Sequence, residues 1–285
     1  MCHLAVQNER LFCTVSHDTL GPMCTVILLR RPGHDWPLIL GANRDEKGDR
    51  PWRPPARHWP DRADVTAGLD ELAGGTWLGV NDYGVVACVL NRMGTLGPAP
   101  DKRSRGELPL EALDHAEAEA AAEALSHLDP AAYRPFNMIV ADARAAFWIA
   151  AKEGENCIHT QAVPEGLSML TAHDMNDADG SARQRHYRPK FEAVTPPQPS
   201  FDPDSEDWSA WQTLLESAEQ APESVGGGGP ESAMLIQTDW GFRTTSSSLI
   251  ALPGTEKKAA NPRIPALWRF RGRGASETPW ESVDF

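Results

Sequence analysis

The sequence predicts an α+β fold built in layers as one domain, and three observations carry that expectation. Many short runs rich in β-branched and long apolar residues are bounded by Gly, Pro, Asn and Asp; only two segments carry helical apolar spacing; and there is no internal repeat. At 285 residues the chain can bury a substantial core, so its size demands neither a metal nor a disulfide staple.

Residues 25–29 and Leu38-Ile39-Leu40 flank Pro32, Gly33 and Pro37, the pattern of two strands joined by a turn. The second strand runs into Gly41-Ala42-Asn43-Arg44-Asp45-Glu46, where polar side chains gather at a strand end from which they can converge. Residues 48–60 hold four prolines with Trp52 and Trp59 and predict an ordered, irregular loop. Residues 76–80 and 85–90 predict a hairpin across Asn81-Asp82-Tyr83-Gly84. Ser104-Arg105-Gly106-Glu107 has capping-box spacing, from which an alanine-rich helix is expected to reach about Leu128. Short strands are expected at 136–141, 146–150 and 157–163, followed by a polar, irregular stretch over 173–188. A second helix over 207–218 would place Trp208, Trp211, Leu214, Leu215 and Ala218 on one face. Late strands are expected at 233–237, 247–252 and 266–270, ahead of a packed tail.

Asp and Glu number 40 against 27 Lys and Arg, a net charge of −13 that argues against a general nucleic-acid surface and leaves room only for a local basic groove. No apolar run approaches the roughly 18 residues of a membrane span, and the first twenty residues lack the basic start and apolar stretch of a secretory signal. Five cysteines form an odd set with no C-x-x-C pair, and no H-E-x-x-H appears. The expectation is a cytoplasmic protein with free thiols, no metal and no cofactor.

Cys24 begins the first strong strand, after Gly21-Pro22-Met23. It is either a small apolar side chain at a strand edge or, were Met23 the first residue and then removed, a thiol beside its own α-amine. An amine of pKa about 8 can take the thiol proton and return it to a leaving group. Cys2 also follows a methionine but lacks a strand to hold it, and Cys88 and Cys157 read as core. In an extended segment Asn43 and Asp45 share one face, with Arg44 and Glu46 on the other. Asp45 would orient an ammonium; the alternative is a charged surface turn. Asn81, Asn91, Asn137 and Asn176 are amides able to stabilise an oxyanion, with Asn91 the better placed at the end of a buried-looking strand. Arg243 can bind a carboxylate through its fork of donors, or simply lie on the surface.

Met23-Cys24-Thr25-Val26, Gly41-Ala42-Asn43-Arg44-Asp45-Glu46, Gly74-Gly75-Thr76-Trp77-Leu78-Gly79 and Ser104-Arg105-Gly106-Glu107 together resemble the NRDE protein family, also called the transport and Golgi organisation 2 family. Phe136-Asn137 and the run from Gly241 to Ser247 resemble its later blocks. The family is similar to N-terminal nucleophile hydrolases of the cysteine amidase branch. The resemblance therefore implies a four-layer αββα sandwich, with residues 23–285 as one domain and residues 1–22 as an extension. It further implies Cys24 as nucleophile, Asn43 and Asp45 as supporting groups, Asn91 at the oxyanion or substrate site, and Arg243 as a late arginine. An arginine that the amidase branch carries before its Asn-x-Asp is Ala42 here. Two functions stay open on this resemblance: hydrolysis of a small non-peptide amide, or non-enzymatic binding or trafficking of haem or another apolar ligand, with Trp52, Trp59 and Trp77 lining the pocket. The oligomeric state is not specified.

Overall fold

A computed structural model describes residues 24–261, 264–273 and 278–285. The extension expected over residues 1–22, with Cys2 and Cys13, lies outside the described residues.

The chain opens one sheet with β1 (Thr25–Arg30) and β2 (Leu38–Lys47) as an antiparallel hairpin, in register from Thr25 opposite Asn43 to Arg30 opposite Leu38. It then builds the whole of a second sheet in sequential order. The strands are β3 (Trp52–Ala56), β4 (Val65–Asp70), β5 (Leu78–Asn81), β6 (Val86–Asn91), β7 (Phe136–Ala141), β8 (Ala146–Ala151) and β9 (Ile158–Ala162). It returns to the first sheet with β10 (Gly166–Leu170) beside β1, β11 (Phe242–Leu252) beside β2, and then β12 (Leu267–Gly272) and β13 (Glu281–Ser282). Helices α1 (Leu108–Leu113), α2 (Ala118–Ser126), α3 (Ala182–Ala193), α4 (Ser209–Leu215) and α5 (Thr255–Ala260) complete the elements.

Alternation along the strands fixes the layers. Val26, Leu28, Leu38 and Leu40 meet Leu78, Val80, Cys88 and Ile139 in a core between the two sheets. Ile27, Leu29 and Ile39 turn the other way, onto Tyr187, Phe191 and Trp211 of α3 and α4. On the far side of the second sheet, Val65, Ala67 and Val140 pack on Leu110, Leu113, Ala121 and Leu125 of α1 and α2. Two antiparallel sheets between helical layers are thus the observed architecture, in agreement with the expected α+β sandwich. No helix among the described residues is long and apolar enough to cross a membrane.

Five elements depart from expectation. The strand expected over 233–237 is an irregular segment that meets the sheet through an isolated bridge, Gln237 to Arg243. The NRDE segment does not follow β2 but continues it, because β11 pairs along the entire strand from Leu38 to Lys47. The alanine-rich helix breaks after Leu113: Asn81 Nδ2 donates to the carbonyls of Leu113 (2.8 Å) and His115 (2.7 Å), and Asp142 accepts from the Ala118 N–H at 2.9 Å, capping a new helix there. The stretch 48–60 contains an edge strand, β3, which tolerates Pro54 and Pro55 where the ladder shifts register between Arg53 and Ala56. The polar stretch after His173 holds α3, whose Ser181 cap accepts from the Gln184 N–H and whose buried side is Arg183, Gln184, Tyr187 and Phe191. Half of that side is polar, so hydrophobic periodicity gives no signal for it.

Candidate active site

Cys24 stands at the start of β1, and its sulfur is held by the main chain of β2. The Asp45 N–H donates to Sγ at 3.4 Å, and the Asp45 carbonyl lies 3.6 Å from the same atom. Strand alternation turns the thiol toward the space between the sheets, the side shared by Val26, Ala42 and Arg44. Removal from water, followed by the negative charge of Asp45, pushes the thiol pKa up to about 12.

Asp45 turns its carboxylate to the opposite face, among the helices. Oδ2 takes Arg183 Nη1 at 3.2 Å with both side chains fully buried, and Oδ1 accepts from Thr244 Oγ1 at 2.6 Å. The same Arg183 nitrogen donates to Thr25 Oγ1 at 2.6 Å, while Nε and Nη2 hold the Glu231 carbonyl. Burial nonetheless raises Asp45 to about 6, against the opposing pull of Arg183 and Thr244. A bulge in β11 between Thr244 and Ser246 lets adjacent residues serve both faces. Thr244 bonds Asp45, whereas Thr245 Oγ1 accepts from Arg44 Nη1 at 3.0 Å.

Arg44 is buried beside the thiol, with its guanidinium 4.4 Å above the Trp77 ring and ion pairs to Glu46 (3.8 Å) and Asp70 (3.7 Å). It occupies the thiol's face, which neither the Asn43 nor the Asp45 side chain does. Asn43 is a brace: Nδ2 donates to the Leu215 and Met234 carbonyls at 2.9 and 2.8 Å, and Oδ1 accepts from Ser247 at 2.6 Å. Its amide is fully engaged between strands and helices.

A cleft of about 1000 Å³ opens in front of Cys24 and is also lined by Asn91, Trp77, Arg105 and Arg134. Two glycines allow its rim: a Cβ on Gly75 would stand 2.4 Å from the Gly106 carbonyl oxygen, so the GGTWLG and SRGE segments meet backbone to backbone. Of the four amides singled out in the sequence, three are engaged. Asn81 holds the break between α1 and α2, Asn137 donates to the Thr171 and His173 carbonyls, and Asn176 accepts from the Met169 N–H. Asn91 ends β6 on the cleft wall, and its side chain has no hydrogen-bond partner among the described residues. Arg243 lies on the Gly48 turn, Nη2 3.4 Å from the Gly48 carbonyl, and lines neither the cleft nor the small cavity of about 20 Å³ beside Cys24.

Of the three tryptophans proposed for an apolar pocket, Trp77 alone lines the cleft, and Trp59 lies apart from the other two. Trp77 faces the cleft, Trp52 packs edge-on against Trp77 and Phe270 toward the core, and Trp59 packs on the far side of the second sheet. Cys88 is core, as read, but Cys157 is exposed, because it precedes the edge strand β9 in an open turn. There the ligand atoms of Glu155, Cys157 and His159 come within 4.8 Å of one another, a grouping that the expectation of scattered ligands did not contain. Sequence reasoning also missed Arg183 and Arg44. Arg183 lies in a polar stretch without apolar periodicity, and Arg44 stands on the face of its strand opposite Asn43 and Asp45.

Two antiparallel sheets between helical layers, with a cysteine at the start of an inner strand facing a cleft, define an N-terminal-nucleophile-hydrolase-like fold. The chain belongs to the Transport and Golgi organisation 2 family, whose pattern matches residues 23–246. It is 36% identical over 113 residues to the Mus musculus Transport and Golgi organization 2 homolog, covering 37% of this chain and 38% of that one. To the Bos taurus homolog it is 37% identical over 118 residues, covering 38% and 40%. The matches thus span about two fifths of these curated relatives. Among solved structures, it resembles the Caenorhabditis elegans ortholog of N-acylethanolamine-hydrolyzing acid amidase with a TM-score of 0.54 and 15% identity, over 85% of this chain and 98% of that one. A variant of conjugated bile acid hydrolase from Clostridium perfringens superposes with a TM-score of 0.52 and 12% identity, over 92% of each chain. At these identities the likeness is one of fold.

Proposed function

We propose that the protein is a cysteine amidohydrolase acting on a non-peptide amide, with Cys24 as nucleophile once its α-amine is free. The observation that carries this reading is the meeting, at one cleft, of a thiol fixed by the Asp45 main chain and an Asn91 amide with no hydrogen-bond partner among the described residues. In the reaction the α-amine accepts the thiol proton, sulfur bonds to the amide carbon, and Asn91 Nδ2 donates to the oxyanion together with a main-chain N–H. Collapse breaks the C–N bond as the ammonium returns its proton to the leaving amine. Water then cleaves the thioester, releasing a carboxylic acid and regenerating the thiol. Arg183 and Thr244 hold the Asp45 carboxylate, whose negative charge acts on the Cys24 site across the strand pair and favours the ammonium.

The free amine is required by the electrostatics of the site. A thiol at about 12 is not a nucleophile at neutral pH, and an adjacent ammonium supplies the positive charge that burial and Asp45 otherwise outweigh. Fold-level likeness to two amide-hydrolysing proteins agrees with this assignment. The test is intact-mass analysis of protein trimmed to begin at Cys24, after exposure to an activated amide or ester. The expected result is one acyl adduct, located on Cys24 and absent from Cys24→Ala. A folded, trimmed protein that takes up no acyl group would overturn the assignment.

A further inference from the structure

The protein carries a net charge of −13, yet its cleft is basic. Some of the basic side chains on the cleft are neutralised locally. Arg44 and Arg50 share Glu46 and Asp70, at 2.7 to 3.8 Å, and Arg103 pairs with Glu107 and Glu111. Lys47, Lys102, Arg105 and Arg134 also line the cleft, and among the described residues none of these four has a carboxylate partner.

Arg105 and Arg134 are held in place by neutral groups. Arg105 donates to the carbonyls of Thr95 (2.9 Å) and Pro135 (3.0 Å) and to Thr95 Oγ1 (2.9 Å). Arg134 donates to the carbonyls of Gly94 (3.0 Å), Leu96 (2.5 Å) and Gly97 (3.2 Å). Two guanidiniums therefore clasp one loop, fixed in position with no carboxylate in contact among the described residues; Glu46 acts on Arg105 only from a distance. Desolvation, and then the repulsion of Arg134, lowers Arg105 to about 10. Fixed cations that crowd one another in a low-dielectric cleft gain when an anion arrives, because most of the ordering they need is already done. Lys102 stands on the same wall and donates to the Ala131 carbonyl. Apolar surface adjoins them: Leu72 is 66% and Trp240 46% exposed, and both line the cleft.

We propose that Lys102, Arg105 and Arg134 form an anion subsite, so that the cleft takes an amphiphile joining an apolar chain to a carboxylate or phosphate. This deepens the amidase reading and rests on it for the bond that is cleaved; binding of the anion does not depend on Cys24 reacting.

The experiment is isothermal titration of the full chain carrying Cys24→Ala, which prevents turnover. The probes are N-octanoylglycine, its uncharged methyl ester, and octyl phosphate. At least one anionic probe is expected to bind about tenfold or more tighter than the ester, the scale of one charge-assisted contact. Its affinity should weaken with added salt, and the tighter anion identifies the carboxylate or the phosphate as the preferred group. Lys102→Gln and Arg134→Gln should each lower anion affinity and leave that of the ester unchanged. Lys102 is exposed, so its variant carries the test if Arg134→Gln fails to fold. Equal affinity for acid, phosphate and ester, or anion affinity indifferent to Lys102→Gln, overturns the subsite. Acylation of Cys24 in trimmed wild-type protein, measured separately, then shows whether the hydrolase reading survives it.

Discussion

The sulfur of Cys24 lies 3.4 Å from the main-chain nitrogen of Asp45, while the carboxylate of that same aspartate points through the sheet to Arg183. One residue thus positions the thiol with its backbone and anchors the helical layer with its side chain. The thiol and the charge that perturbs it belong to opposite faces of one strand pair.

In the full chain, where the Cys24 nitrogen is acylated by Met23, that thiol should be sluggish. With its pKa moved from 9.0 to about 12, its thiolate fraction at pH 8 is about a thousandth of that of an unshifted thiol. Peptide mass spectrometry after timed iodoacetamide exposure should find exposed Cys157 labelled at least about 100-fold faster than Cys24. Comparable rates would refute the assigned environment. Trimming to Cys24 should accelerate its labelling.

Asp45 should leave a signature in stability against pH. Its folded pKa, about 6, lies above the ordinary 3.8, so the native state binds the proton more tightly than the unfolded one. The stabilisation from this group is complete below about pH 4 and is lost as pH rises through 6, by an amount on the order of 3 kcal/mol. Urea denaturation of wild type and Asp45→Asn between pH 4 and 7.5 isolates it, since other groups cancel. The difference should shift steadily in favour of the variant as pH rises; a flat difference would contradict the burial argument.

Arg183 pairs directly with the Asp45 carboxylate, and both side chains are fully buried. Arg183→Met should destabilise the fold by about 3–5 kcal/mol at neutral pH, by stranding a buried charge. A loss below about 1 kcal/mol in chemical denaturation would show that water reaches the site.

Asn91 and Asn43 should separate function from stability. Asn91→Ala should lower the rate of Cys24 acylation by about 10²–10³-fold with little change in thermal midpoint. Asn43→Ala removes three buried hydrogen bonds and should lower the midpoint first. A reversal of this pattern would reassign both residues.

Gly75→Ala tests the rim. Its methyl group would meet the Gly106 carbonyl oxygen at 2.4 Å, and backbone cannot swing aside as a side chain can. A destabilisation of about 1–3 kcal/mol is expected by calorimetry.

Much of this was readable in the chain. The β1–β2 hairpin, β7, the alternation of Asn43 and Asp45 against Arg44 and Glu46, and the buried Cys88 all follow from patterns spanning a few residues. Where reading failed, a distant group had intervened. Asn81 ended a helix thirty-odd residues downstream by taking its carbonyls, and α3 went unseen because its buried side contains Arg183 and Gln184. The basic wall was hidden too, since Arg105 and Arg134 are far apart in sequence and the net charge is acidic.

Sequence alone determined that neighbouring residues of the NRDE segment must point oppositely, because the strand pleat is a property of the local backbone. Only the tertiary structure decided which set would face the thiol. That choice depends on which sheet face is covered by helices and which by the second sheet, and so on apolar burial between segments more than a hundred residues apart.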